Sequence, residues 1–309
     1  MKITTINLFQ FCSPKYSYYT KKEKHTPEVW KKKTTWIKEK LKNLDSDIVA
    51  FQEVFSSEEL KKLCIESGYK YFAIVDNAKL NKNIYETCVV ALASKHKIKN
   101  ISKLESSNSK ESFTFSRIPI KVDICINETT LRVYCVHLKS NRLNEFEHKF
   151  TINNTFKEKY EKNKNTLENK TSALYQRFLE LKYLNEDIKK SLNENKNIIV
   201  LGDFNDKLNS FSLDVIKSND YLNDIMQNNE IKEKYYFELI DAFDLTNNKK
   251  RKYTSYYKSE GNIIDYILVS KSLNKISNYE VDDFHLKDNK NGSLLKSDHA
   301  IVSCSIDLK

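Results

Sequence analysis

The sequence predicts a layered α/β (α+β) protein, and two observations carry that reading. Apolar strand-like runs alternate with amphipathic helical stretches along the whole chain. No Pro- or Ser-rich linker and no internal repeat divides the 309 residues, so one domain spanning 1–309 is expected. "KITTINLF" reads as an opening strand. "VWKKKTTWIKEKLKNL" then places Trp30, Ile37, Leu41 and Leu44 on one helical stripe with lysines around the rest. "DIVAFQE" is a buried strand, and Ser56 with Glu59 has the spacing of a capping box ahead of Leu60, Leu63 and Cys64, with Gly68 as the stop. Strands follow at "YKYFAIV", "TCVVALAS", "FTFSRIPIKVDICI" and "TLRVYCVHL". The stretch 139–196 starts very polar, as a loop or insertion around 141–170, and turns amphipathic at Leu174, Phe178, Leu181, Ile188 and Leu192. "IIVLGDFND", a further helical region, "YTSYY", "NIIDYILVS" and "AIVSCSIDL" complete the chain.

Composition narrows the function. Hydrophobic residues make up 39% and charged residues 30%, and no apolar run approaches the roughly 20 residues that cross a bilayer. "MKITTINLFQFCSP" lacks the continuous apolar stretch of a signal peptide. Six scattered cysteines, most in strand-like apolar contexts, read as reduced core thiols, and a cytoplasmic monomer is expected. The net charge of +10 favours a polyanionic partner, either nucleic acid or an anionic membrane surface.

Polar residues cluster at the ends of the apolar strands. They are Asn7, Gln52, Glu53, His137, Asp203, Asn205, Asp265, Asp298 and His299. Singly, each is an ordinary turn or surface residue. Gathered at one rim, so many carboxylates need a compensating charge, and oxygen ligands suit magnesium, manganese or calcium. The histidines are then left for proton transfer in phosphoryl chemistry.

In this order, "DIVAFQEV", "VHLKS", "VLGDFND", "NIIDYILVS" and "SDHAIV" resemble the endonuclease/exonuclease/phosphatase superfamily, which holds deoxyribonuclease I-like, exonuclease III-like and neutral sphingomyelinase-like enzymes. The resemblance runs from Asn7 to His299. It implies a four-layered α/β/β/α sandwich, two packed mixed sheets with helices outside. It also implies metal binding by Glu53 with Asn7 and Asp298, and catalytic roles for His137, Asp203, Asn205, Asp265 and His299. By the same resemblance His299 acts as general base or transition-state stabiliser, paired with Asp265. Arg117 in "SRIPI" resembles an arginine near the substrate phosphate. Lys139, Asn205 and Tyr256 are further candidates for substrate contact; Gln52 and Glu86 are supporting candidates, with Glu86 placed to orient His137.

The expected activity is a magnesium-dependent phosphodiesterase, in first place a nuclease acting on DNA. That order rests on the basic balance, on Lys139 beside the site, and on Tyr253, Tyr256 and Tyr257 as stacking surfaces. A sphingomyelinase-like phospholipid phosphodiesterase shares the same catalytic set. A 5-phosphatase fits less well, since that branch has a "WCDR"-like stretch where this chain has "NIIDYIL". A non-catalytic binding module is disfavoured because every expected position is filled.

Overall fold

The computed structural model describes residues 1–104, 113–140, 154–158, 160–161, 172–194, 197–218, 221, 227, 238–248, 250–257, 259–291 and 296–308. The strands in chain order are β1 (Lys2–Phe11), β2 (Ser17–Tyr18), β3 (Ile48–Val54), β4 (Tyr71–Ala73), β5 (Leu80–Asn81), β6 (Ile84–Tyr85), β7 (Val89–Ser94), β8 (Ile98–Lys103), β9 (Ile120–Ile126), β10 (Thr129–His137), β11 (Asn197–Asp203), β12 (Leu239–Asp241), β13 (Ser255–Tyr257), β14 (Glu260–Asn262), β15 (Asp265–Ser270), β16 (Ile276–Asp282) and β17 (Ile301–Ile306). The helices are α1 (Pro27–Leu44), α2 (Ser57–Glu66), α3 (Ser172–Asn193) and α4 (Phe211–Lys217).

Two six-stranded sheets dominate. The first runs β16-β17-β1-β3-β7-β4 and the second β12-β15-β11-β10-β9-β8. Both are mixed: β1 pairs with β3, and β10 with β11, in parallel, while the other pairings within these sheets are antiparallel.

The period-2 alternation of strand side chains builds the layers. Ile3 of β1, Ile48 and Ala50 of β3, Leu131, Val133 and Cys135 of β10, and Ile199 and Leu201 of β11 fill the core between the sheets. Their neighbours Ile6, Leu8, Val49 and Phe51 point outward with Trp36, Ile37, Leu41, Leu60 and Cys64 of α1 and α2. On the far side, Tyr134, Val136, Ile198 and Val200 pack with Phe178, Leu181, Leu184 and Ile188 of α3. The result is the expected α/β/β/α sandwich.

Several elements differ in detail from the sequence reading. Ser56 does not cap α2 with its side chain; its hydroxyl accepts from Ser13 N at 2.9 Å, a tie between the exits of β1 and β3. In α1, Thr26 is the N-cap and Pro27 the first residue, while Lys33, one of the lysines placed on the solvated face, is fully buried. β8 and β16 went unforeseen because edge strands with one wet face carry polar, weakly patterned sequences. Of the stretch around 141–170, only 154–158 and 160–161 are described, where Phe156 packs against Tyr221 at 5.8 Å and Tyr160 is buried. The rest lies outside the described residues. All six cysteines are free thiols, and among the described residues no helix is long and apolar enough to cross a membrane.

Candidate active site

In the second sheet, the inward-facing positions at one end of adjacent strands are polar. His137 of β10 is the register partner of Asp203 of β11, which is in turn the partner of Asp265 of β15. Alternation therefore aims all three to the same side as the apolar core residues two places away on their strands, Cys135, Leu201 and Ile267. Asp203 is the centre. Its Oδ2 lies 3.1 Å from Asn7 Nδ2, 3.4 Å from His137 Nε2 and 3.9 Å from His299 Nε2, and its Oδ1 accepts from Asn205 N at 2.8 Å. His299 Nδ1 meets Asp265 Oδ2 at 2.9 Å, which fixes the ring.

The glycine before Asp203 is obligatory. Gly202 has φ +143°, and a Cβ there would lie 2.0 Å from the Val136 carbonyl oxygen of β10. Asn205 follows in the left-handed region at φ +52°, a conformation Asn tolerates, and its Nδ2 donates to the Leu138 carbonyl at 2.9 Å. The "GDFN" and "VHLK" exits are thereby bound to one another.

The first sheet supplies its groups by breaking regularity. The β1–β3 ladder slips between Asn7 and Phe11, with Phe9 at φ +46° and Gln10 at φ +56°. Bulges of this kind re-aim side chains beside active sites. Asn7 Oδ1 accepts from Phe9 N at 3.0 Å, and Gln10 N, freed from the ladder, donates to Glu53 Oε2 at 2.8 Å. Strict alternation would send Glu53 outward with Val49 and Phe51; its φ of +58° turns it to the rim instead.

Gln52 holds the next inward place after Ile48 and Ala50. It is fully buried between the sheets, accepting from Thr5 Oγ1 at 3.1 Å and donating to Cys135 Sγ at 3.6 Å. Its supporting role is an inter-sheet tie rather than a site contact. Glu86 corrects the expectation outright: it is exposed and pairs with Lys79 at 2.8 Å and Asn81 at 2.9 Å, away from His137. The small β2–β6–β5 sheet before it carries it outward.

The charges are strongly unbalanced. Burial, then the nearby Asp298, raises the Glu53 carboxyl, with His299 and Arg117 opposing. Asp298 is raised mainly by burial, and its Oδ1 is buried with no hydrogen-bond partner. Burial pushes Asp203 up to about 7, against the pull of His299. The histidines separate. Burial, with the positive charges of Arg117, His299 and Lys139, holds His137 well below the usual histidine range. Burial would lower His299 too, but Asp265, Asp203 and Asp298 together lift it well above that range.

A cation is the natural complement of this excess. Ligand atoms of Asp203, Asp265 and His299 lie within 4.8 Å of one another, but His299 and Asp265 already satisfy each other there. A second oxygen set that could hold a hard cation is Glu53 with Asp298, whose Oδ1 has no hydrogen-bond partner and lies 4.0 Å from His299 Nε2, and the Asn7 amide oxygen.

Arg117, half-buried, donates through Nε to the His137 carbonyl at 3.1 Å and through Nη2 to the Leu138 carbonyl, which places its charge at the site. Lys139 follows on the same exit. Tyr256 stands on the β13–β14 ribbon, half-exposed, next to Ser255, which bridges to His299.

Sequence reasoning missed the braces. From α3, Glu180 accepts from Lys139 N at 2.7 Å and Ser116 N at 2.9 Å, while Arg177 donates to the Lys139 carbonyl at 2.9 Å and lies 3.5 Å from Asp206. Thr254 Oγ1 accepts from Ile264 N and Asp265 N at 3.0 and 3.2 Å. Ser297 Oγ donates to the Asn7 carbonyl at 2.6 Å and accepts from His299 N at 3.0 Å. Lys33 Nζ reaches the Lys296 carbonyl at 2.5 Å. One signal was available: Arg177 and Glu180 are charged residues beside the apolar stripe of α3, at the i, i+3 spacing that puts them on one face.

Comparison with known proteins agrees with this fold. Three solved structures share the fold: an AP endonuclease from Archaeoglobus fulgidus (15% identity, 100% of both chains, TM-score 0.57), TDP2 from C. elegans (14%, 99% of this chain and 75% of that one, TM-score 0.58) and the 3′-5′ exonuclease NExo from Neisseria meningitidis (16%, 100% of both, TM-score 0.54). No curated protein matched. The model of the Endonuclease/Exonuclease/phosphatase family matches residues 29–299, from α1 to the histidine paired with Asp265, and the chain belongs to that family.

Proposed function

We propose that the protein is a divalent-metal-dependent phosphodiesterase that hydrolyses nucleic acid, DNA first among candidates. The observation that carries this is the convergence of Asn7, His137 and His299, from three different strand segments, on one carboxylate oxygen of Asp203. Such a group has no evident structural purpose and matches the needs of in-line attack on a phosphate. The fold relatives point the same way: one is an AP endonuclease, and NExo has been described as a 3′ phosphatase bound to product DNA hairpin.

Magnesium or manganese held by Glu53, Asp298 and Asn7 would polarise a phosphate oxygen; calcium also suits these ligands. The protein's groups do the rest. Asp203 and His299 lie 3.9 Å apart and act as one unit for the proton of the attacking water, with Asp265 holding the ring. Arg117 and neutral His137 hydrogen-bond to the phosphate oxygens as charge builds on them. Asn205 and Lys139 align the phosphate, and Tyr256 borders the strand beside His299.

The test is incubation of purified protein with magnesium or manganese against plasmid, linear duplex, single-stranded DNA, RNA and sphingomyelin, with His299→Ala as control. Metal-dependent cleavage of nucleic acid, lost in the variant, is the expected result. Release of choline phosphate with intact nucleic acid would replace this reading with the phospholipid one.

A further inference from the structure

Three tyrosines are about half exposed beside the candidate site: Tyr19 (50%), Tyr253 (49%) and Tyr256 (48%). Large apolar rings left in water at a phosphate site call for a ligand, and the topology places them at opposite ends of it. Along the rim of the first sheet the order is β17, β1, β3, β7, which sets His299, Asn7, Glu53 and Cys88 in a row. Along the second, the order β15, β11, β10, β9 gives Asp265, Asp203, His137 and then Arg117, just ahead of β9.

Tyr253 and Tyr256 flank Ser255, the residue bridged to His299, and so mark one end. Tyr19, whose hydroxyl lies 4.0 Å from Cys88 Sγ, marks the other. Three strand spacings of about 4.8 Å put roughly 14 Å between the ends. Roughly four stacked nucleotides cover that distance at the ~3.4 Å rise of one strand.

Both platforms are built rather than incidental. Tyr253 packs against Gly261, where a Cβ would come within 2.2 Å of the ring, and Tyr256 meets it edge-on at 5.8 Å. On the far flank Tyr19 is anchored edge-on to Phe55 at 5.3 Å and to Tyr18 at 6.2 Å. Phe55 directly follows β3, the strand that carries Glu53, so this ring is fixed to the candidate metal-binding element.

We propose that Tyr19 on one flank and the Tyr253–Tyr256 pair on the other stack unpaired nucleobases on either side of the scissile phosphate, which makes single-stranded or frayed nucleic acid the preferred substrate over intact duplex. The inference rests on the phosphodiesterase reading above. Bases of a duplex are already stacked on each other and turned inward, whereas every unpaired base has a π-face to offer a ring. The net charge of +10 supplies sequence-independent attraction for the backbone.

The experiment measures kcat and KM on one labelled oligonucleotide, single-stranded and as a duplex, with magnesium or manganese. Wild-type protein is expected to favour the single strand. Tyr19→Ala and Tyr253→Ala should each raise KM on the single strand roughly tenfold and move the single-strand to duplex ratio towards one, while Tyr19→Phe and Tyr253→Phe retain wild-type ratios. A second measurement needs no variant: abasic residues on either side of the cleaved phosphate should raise KM for the wild-type protein to a similar extent. Equal cleavage of duplex and single strand, with no effect of abasic substitution, overturns the proposal. Hydrolysis of bis(p-nitrophenyl) phosphate separates the two levels. If that small diester is cleaved and oligonucleotides are not, the stacking proposal fails alone; if neither is cleaved, the phosphodiesterase reading fails with it.

Discussion

The two sheets deliver their functional groups by different means. In the second sheet His137, Asp203 and Asp265 are neighbours in register at the ends of regular strands, and simple alternation does the aiming. In the first, Asn7 and Glu53 flank a ladder slip with left-handed residues at Phe9, Gln10 and Glu53. His299 hangs on a segment tied back by Ser297, by His285 Nε2 at 2.7 Å from its carbonyl, and through Lys296 by Lys33. One half of the site is therefore a consequence of the fold, and the other half is held in place by strain and hydrogen bonds. Substitutions in the second sheet should remove chemistry and spare structure. In the first sheet the two should be harder to separate.

The largest effect tests the regular half. Asp203→Ala removes the oxygen on which Asn7, His137 and His299 converge, and turnover should fall by about 10³-fold or more. Its thermal midpoint in EDTA should move little, because relief of the buried carboxyl offsets the loss of an acceptor for Asn7 Nδ2 and Asn205 N. Glu53→Gln, from the irregular half, should abolish the stabilisation of the protein by manganese in a thermal melt. A manganese-induced shift equal to wild type would place the cation elsewhere, with Asp203, Asp265 and His299 as the next set to test.

Next comes backbone freedom, where two glycines differ. Gly202→Ala drives a methyl to 2.0 Å from the Val136 carbonyl, one pair from the end of the parallel β10–β11 ladder, and should destabilise the protein by about 3 kcal/mol or more by chemical denaturation. Gly68→Ala meets nothing within 4 Å and bears only the penalty of φ +98°, about 1 kcal/mol. Similar losses at both would mean that β10 and β11 can part without harm.

Lys33 sharpens the contrast from the irregular half. Burial lowers its ammonium to about 7, with Glu53 and Asp298 pulling the other way. The unfolded chain therefore binds more protons than the native one between about pH 7 and pH 10.5. Stability contributed through this group rises with pH across that window, as the charge is shed in the fold, and is lowest below pH 7. Lys33→Met keeps the apolar stem and removes the charge. In EDTA, the wild-type stability relative to this variant should increase from pH 7 to pH 10; a constant difference would show that Lys33 stays charged in the fold.

Lys33 also shows where sequence reading stops. The sandwich was legible because alternation is written into "KITTINLF", "IIVLGDFND" and "NIIDYILVS", and the rim residues were legible as polar exits from apolar strands. Nothing in "KKKTTW" marks one lysine as buried, since the same spacing serves a wet helix face. Arg177 and Glu180 were hidden for the same reason, inside a stripe read for its leucines. Thr254 and Ser297 act by capturing backbone groups of distant segments, and that role depends on which loops meet rather than on local pattern. Glu86 was misplaced because a loose motif beside a strand says little about which way a short ribbon carries it.

The smallest expected effects test Gln52 and Glu86, the two residues the structure removes from direct site contact. Gln52→Leu trades two buried hydrogen bonds, to Thr5 and Cys135, for apolar packing between the sheets; leaving the Thr5 hydroxyl without its acceptor should lower stability by about 1–2 kcal/mol. Turnover should stay within a few-fold of wild type, because Glu53 is aimed by its own backbone and by Gln10 N, neither of which depends on the Gln52 side chain. Glu86→Ala breaks only exposed contacts with Lys79 and Asn81 and should change neither stability nor the pH dependence of turnover measurably. A shifted pH profile in Glu86→Ala would restore its link to His137 and require the β5–β6 ribbon to fold back over the site during turnover.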